Sequence, residues 1–160
     1  MPIFRTPIEV TRSPFTFTIH DSILTIGSCF SDMMGERLQK NKFSVSSNPF
    51  GAVYNPISIH KALRYAVFNE PPDQHTYVQQ KDVFSNYDFH SSFSALKRAL
   101  VEDKIKEAIG FNHFFLKNCQ YLIITYGTAW VYQRQDTEEI VANCHKIPSR
   151  NFSKHLLQPN

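Results

Sequence analysis

The sequence predicts an α/β fold, a mostly parallel sheet with helices on both faces. Three observations predict it. Short apolar, β-branched runs alternate with amphipathic stretches of about 12 to 16 residues, the pattern of strands joined by crossover helices. A glycine closes three strand-like or loop segments, at Gly27, Gly51 and Gly127. The composition, 42% hydrophobic and 19% charged, is that of a globular chain rather than a disordered one. Ligands of parallel α/β sheets sit at the carboxyl ends of the strands, so the three glycine turns are expected to meet on one rim.

The elements come in this order. Met1 to His20 is rich in Thr, Pro and Phe and reads as an irregular lead-in. Ser22-Ile23-Leu24-Thr25-Ile26 reads as a buried strand, bounded by Asp21 and Gly27. Gly27-Ser28-Cys29 is then a turn. Phe30, Met34 and Leu38 recur every fourth position and predict a helix with those residues on its apolar face. Ser28 or Ser31 suits its cap, and Asp32 its positive end. Phe43 to Ser46 is a candidate second strand, followed by a loop from Asn48 to Tyr54. Asn55-Pro56 opens a helix bearing Ile59, Leu63 and Val67, which ends before Pro71-Pro72. Val83 to Phe89 reads as a strand or an ordered loop. Ser94 to Ile109 is an amphipathic helix with Leu96, Leu100, Ile105 and Ile109 along one side, ended by Gly110. Tyr121 to Tyr126 is the strongest strand. Trp130 to Tyr132 and Ile140 to Ala142 form a hairpin around Asp136-Thr137. Pro148 to Asn160 is a polar tail.

The chain has 160 residues, which suits one domain spanning 1–160 or part of a longer one. It carries no internal repeat. Fourteen Phe and seven Tyr allow a bulky core. No apolar run approaches the ~20 residues of a membrane helix, and Met1 to Arg5 lacks the start of a signal peptide. Three Cys, an odd and low count, argue against a disulfide framework and for a reducing, cytoplasmic setting. A net charge of +3 without a basic stripe argues against nucleic acid as partner. Lys97, Arg98, Lys104 and Lys106 are interleaved with Glu102, Asp103 and Glu107, as on a solvated helix face. Neither Gly-x-Gly-x-x-Gly nor Gly-Lys-Ser/Thr occurs, so no nucleotide cofactor is expected.

The chemistry concentrates at Gly27-Ser28-Cys29-Phe30. A side chain on a sharp strand-to-helix turn is exposed beside backbone N–H groups, which favour a thiolate and can hold an oxyanion. A plainer reading stands beside it: Ser28 caps the helix and Cys29 fills a small space. His145, next to Cys144, is the best local base, or else a structural histidine. Adjacent Cys and His without a second pair at ligand spacing do not make a metal site. The other histidines, including His60 and His90, read as structural or exposed. Trp130, Tyr126 and Tyr132 line a pocket or pack on a sheet face.

The run Thr25 to Ser31 resembles the motif that names the GSCFA family, which is grouped with the SGNH, or GDSL-like, hydrolases. Asn48-Pro49-Phe50-Gly51 with Tyr54-Asn55-Pro56, Gly127 to Tyr132, and Asn143-Cys144-His145-Lys146 also resemble this family and occur in its order. The resemblance implies a flavodoxin-like, three-layer αβα sandwich. It also implies hydrolysis of a small-molecule or carbohydrate ester without cofactor or metal. It says nothing of the oligomeric state. In the wider superfamily a Ser after the first strand attacks the acyl carbon, and a Gly and an Asn from later blocks complete the oxyanion hole. The resemblance thereby singles out Gly27, Asn48, Gly51, Gly127 and Thr128 as oxyanion or substrate-binding positions.

Three departures qualify it. Aligned without gaps on Gly-Asp-Ser, Ser28 takes the Asp position and Cys29 the Ser position. Hydroxyl chemistry favours Ser28, and the helix N-terminus keeps Cys29 as the alternative. Ala129 stands where the oxyanion Asn would lie, unless Thr128 or a backbone N–H replaces it. Such a donor is worth ~3 to 4 kcal/mol in the transition state. No Asp is followed by His three residues later, so the superfamily's base is not in these residues. Members of the family are longer, and the fold is expected to be completed by a further C-terminal part. The competing reading is a catalytically inactive binding or assembly module of the same fold.

Overall fold

The computed structural model describes residue 6 and residues 8–158. The first five residues, where a signal peptide would begin, lie outside the described residues. So do the last two of the polar tail. The described part of the lead-in contains neither helix nor strand.

A three-stranded parallel sheet organises the first half of the chain, in the order β2 (Ser44–Ser47), β1 (Ser22–Gly27), β5 (Tyr121–Thr125). Being central, β1 is buried on both faces. Ile23, Leu24 and Ile26 are at most 1% exposed, which accounts for the unbroken apolar run. Leu24 and Ile26 pack into the main core with residues of α2 (Pro56–Phe68) and α3 (Arg98–Asn118). Thr25 points to the other face, where its hydroxyl donates to the Ser31 carbonyl of α1 (Cys29–Lys40). Register decides where the strands end. Thr25 pairs with Ser47 and Gly27 with Thr125, so the chain leaves all three strands at one edge.

The remaining strands form two small antiparallel sheets, so parallel pairing is confined to the first. The hairpin of β3 (Tyr77–Gln80) and β4 (Val83–Asn86) turns at Lys81-Asp82. The third sheet has the order β7 (Ile140–Val141), β6 (Trp130–Arg134), β8 (Phe152–Leu156). The expected hairpin is β6–β7. The polar tail supplies β8. Little in its residues marks it as a strand, because only Phe152 is buried. A satellite core of Tyr87, Val141 and Phe152 ties this sheet to the segment after β4.

Two helices differ from their expected form. The buried face of α1 is Ser31 and Gly35, while Phe30 is exposed and Met34 and Leu38 are only half-buried. A side chain at Gly35 would overlap Ser47. Close approach of α1 to β2, rather than apolar bulk, seats this helix. The third helix begins at Arg98 and runs through Gly110 to Asn118. Ser94 to Lys97 stays extended because Ala95 exchanges backbone hydrogen bonds with Phe84, at 2.8 and 3.0 Å, and these displace the first helical turn. Its buried face is Val101, Ile105, Ile109 and Asn112, leaving Leu96 and Leu100 exposed. The second helix is capped as its sequence requires, with the Asn55 side chain accepting from Ser58 N–H at 2.9 Å. Beside it, Lys61 and the Tyr65 hydroxyl both donate to the buried Asp88 carboxylate, at 2.8 and 2.7 Å. Among the described residues no helix is long and apolar enough to cross a membrane.

Candidate active site

The turn after β1 is built on Gly27. Its φ of +140° is one that side-chain-bearing residues rarely adopt, and a Cβ there would overlap the Thr125 carbonyl. That contact lets the chain reverse tightly against β5. Ser28 comes next, 8% exposed, with its N–H donated to the Thr125 carbonyl at 3.1 Å. Its hydroxyl lies 3.1 Å from the Thr125 hydroxyl and accepts from Phe30 N–H at 3.4 Å, so it caps α1. Thr125 in turn lies 2.8 Å from the Ser31 hydroxyl. Ser28 is thus a cap set in a buried hydroxyl cluster. Cys29, the next residue, is exposed. It occupies the first helical position, where a backbone N–H has no acceptor within the helix.

Asn48 locks the second strand to this turn. Its Oδ1 accepts Gly27 N–H at 2.7 Å, and its Nδ2 donates to the Ser28 carbonyl at 3.2 Å and to Asp32 Oδ1 at 2.7 Å. The following loop returns to the same place, with Val53 N–H on the Gly27 carbonyl at 2.8 Å. The third block arrives through Tyr54, whose carbonyl accepts from Gly127 and Thr128 N–H at 2.8 and 3.2 Å. A Cβ at Gly127 would stand 3.1 Å from the Ser28 Cβ. The structure therefore brings Gly27, Ser28, Cys29, Asn48, Gly127 and Thr128 together at the carboxyl edge of the parallel sheet.

Their hydrogen bonds differ from those an oxyanion hole needs. The N–H groups of Gly27, Gly127 and Thr128 are occupied by Asn48 and Tyr54, and that of Gly51 donates to the Asn48 carbonyl at 2.7 Å. The Thr128 hydroxyl accepts from Trp130 N–H at 3.0 Å. Gly51 itself packs against His90. These donors hold loops to one another rather than pointing unpaired into a cleft.

His145 is held by the end of β4. Its Nε2–H donates to the Asn86 carbonyl at 2.7 Å, and no hydrogen bond joins it to Ser28 or Cys29. Burial pushes its pKa below the ordinary histidine value, with the charge of His90 adding to the fall. Its Nε2–H is committed to β4 rather than to the turn. Burial also raises the thiols of Cys119 and Cys144, leaving Cys29 as the exposed one of the three. Of the aromatic candidates, Tyr132 lines a cavity of about 490 Å³ with Tyr54, His90, Cys144 and Phe152. Trp130 lies on an exposed face under Lys154. The Tyr126 hydroxyl meets His60 Nε2 at 2.6 Å.

Sequence reasoning misses Thr125, the role of Asp32 and the His60–Tyr126 pair at this edge. From the sequence, Asp32 is only a favourable charge on the helix. Its place three residues after Cys29 is the one local signal of its part in the turn. Among the described residues no three His, Cys, Asp or Glu side chains gather as a metal site.

No curated protein and no solved structure matches the chain. The model of the GSCFA family matches residues 22–160, a span that contains the turn, the Asn48 clamp, Gly127 and the 143–146 segment, and the chain belongs to that family.

Proposed function

We propose that this chain is an acyl-transfer domain that hydrolyses an ester bond, with Cys29 as nucleophile. The observation that carries the reading is the exposed thiol on the first turn of α1, at the carboxyl edge of a parallel sheet. Family membership and the layering support an SGNH-like sandwich. Helix α1 lies on the Thr25 face of the sheet, and α2 and α3 on the Leu24 and Ile26 face. The burial of Ser28 and its capping bond favour Cys29 over Ser28, although hydroxyl chemistry alone points the other way.

In the proposed reaction the thiol proton passes to solvent and Sγ bonds to the acyl carbon. The carbonyl π pair moves to oxygen, next to the Cys29 N–H and the positive end of α1. Collapse breaks the ester C–O bond, and the leaving oxygen takes a proton from solvent. Water then attacks the thioester, releasing the acid and restoring the thiol.

The test is hydrolysis of a short aryl ester by the wild type, Cys29→Ala and Ser28→Ala. The proposal expects Cys29→Ala to fall to the background rate and Ser28→Ala to keep most of its activity. Equal rates in all three would end it. The second reading, a binding or assembly module, is favoured by the committed N–H groups of Gly27, Gly51, Gly127 and Thr128. It expects no hydrolysis by any of the three proteins.

A further inference from the structure

The 143–146 segment has no part in the proposed reaction, yet it walls a cleft of about 760 Å³. That volume lies within the roughly 300–1,000 Å³ usual for small-molecule sites. We infer that this cleft, between the β3–β4 hairpin and residues 143–146, binds a small polyhydroxylated molecule carrying one anionic group.

Charge is the first ground. Lys81 comes from the hairpin turn and Lys146 from the opposite wall, and no acidic residue lines the cleft among the described residues. Neither lysine is in an ion pair among them. Asp82, next to Lys81, is not part of the wall, and Lys81 and Lys146 are exposed at its rim. Two uncompensated cations facing one space favour an anion, which lysines meet as point charges.

The hydrogen-bonding groups are the second ground. The Ser85 and Ser94 hydroxyls sit 2.7 Å apart and offer both donor and acceptor capacity. Asn143 uses its Oδ1 on His145 N–H at 2.9 Å, which leaves its Nδ2 donors to the cleft. Since the His145 Nε2–H is held by Asn86, its Nδ1 is the remaining acceptor. Such a set of mixed donors and acceptors suits hydroxyls better than an apolar group.

Backbone conformation is the third. Lys81, His145 and Lys146 have φ of 54°, 48° and 60°. Left-handed geometry is disfavoured at side-chain-bearing residues and is found at functional sites as well as in turns. Gln80 ties the two walls together by donating to the Lys146 carbonyl at 2.9 Å, and Lys81 and Lys146 both line the cleft. The site is independent of Cys29.

Calorimetric titration of the whole chain with glucose 6-phosphate, glucuronate and glucose tests the inference. Binding of glucose 6-phosphate or of glucuronate, with glucose much weaker, is expected, and which anion binds tells phosphate from carboxylate. Lys81→Gln with Lys146→Gln is expected to weaken that binding about tenfold or more, as loss of charged contacts should. Lys146→Gln alone gives a smaller loss, and a thermal melt checks that the variants fold. No binding of either anion at millimolar concentration would overturn the inference. So would glucose binding as tightly as the anions, or unchanged affinity in the variants.

Discussion

A hydroxyl and a thiol stand side by side at positions 28 and 29, and their surroundings give them different work. Ser28 faces inward to Thr125 and holds the first turn of α1, whereas Cys29 faces solvent. Ser28→Ala should therefore cost about 1 kcal/mol of stability through the lost cap, read as a lower melting temperature. The rate of Cys29 alkylation should change little. Gly27-Ser28-Cys29 is legible in the sequence because a strand, a glycine and a cap fall within a few consecutive residues. The partners that decide between the two side chains are not. Thr125 is 97 positions from Ser28, and Asn48 reaches Asp32 and the Ser28 carbonyl from another strand. No local spacing encodes such pairs.

At the scale of elements, periodicity locates the helices but misjudges their faces and ends. Gly110 reads as a terminator, yet it lies inside α3 with nothing near the position its Cβ would take. Gly110→Ala should stabilise the protein by roughly 0.5 to 1 kcal/mol, measured by denaturant unfolding. Gly35→Ala should do the opposite, since its methyl group would strike Ser47. A loss of stability in Gly110→Ala would mean that α3 breaks there after all. The strands β3 and β8 are unreadable for a different reason. Their sequences, Tyr-Val-Gln-Gln and Phe-Ser-Lys-His-Leu, bury little apolar surface and are strands because a neighbour pairs with them.

Across the whole molecule, the parallel half builds the rim around Cys29 and the antiparallel half builds the cleft beside His145. The second half has a pH signature. The folded-state pKa of His145 lies below its ordinary value of 6.5. Its neutral form is therefore worth most above pH 6.5, where both folded and unfolded states are unprotonated. As pH falls through 6.5 toward the lower folded value, the unfolded chain takes up the proton first and stability is lost. His90 is the titratable neighbour that adds to this effect. Melting temperature should fall below pH 6.5, and His145→Gln should make that fall shallower. An unchanged slope would remove His145 as its source.

The rim itself is most directly tested by trapping its intermediate. Wild-type protein is mixed with an aryl acetate, quenched in acid, digested and mapped by mass spectrometry. Acetyl is expected on Cys29 and not on Cys119 or Cys144, whose thiol pKa burial raises. Acetyl on Ser28 instead, or equal acetylation of all three cysteines, would rule out Cys29 as the nucleophile.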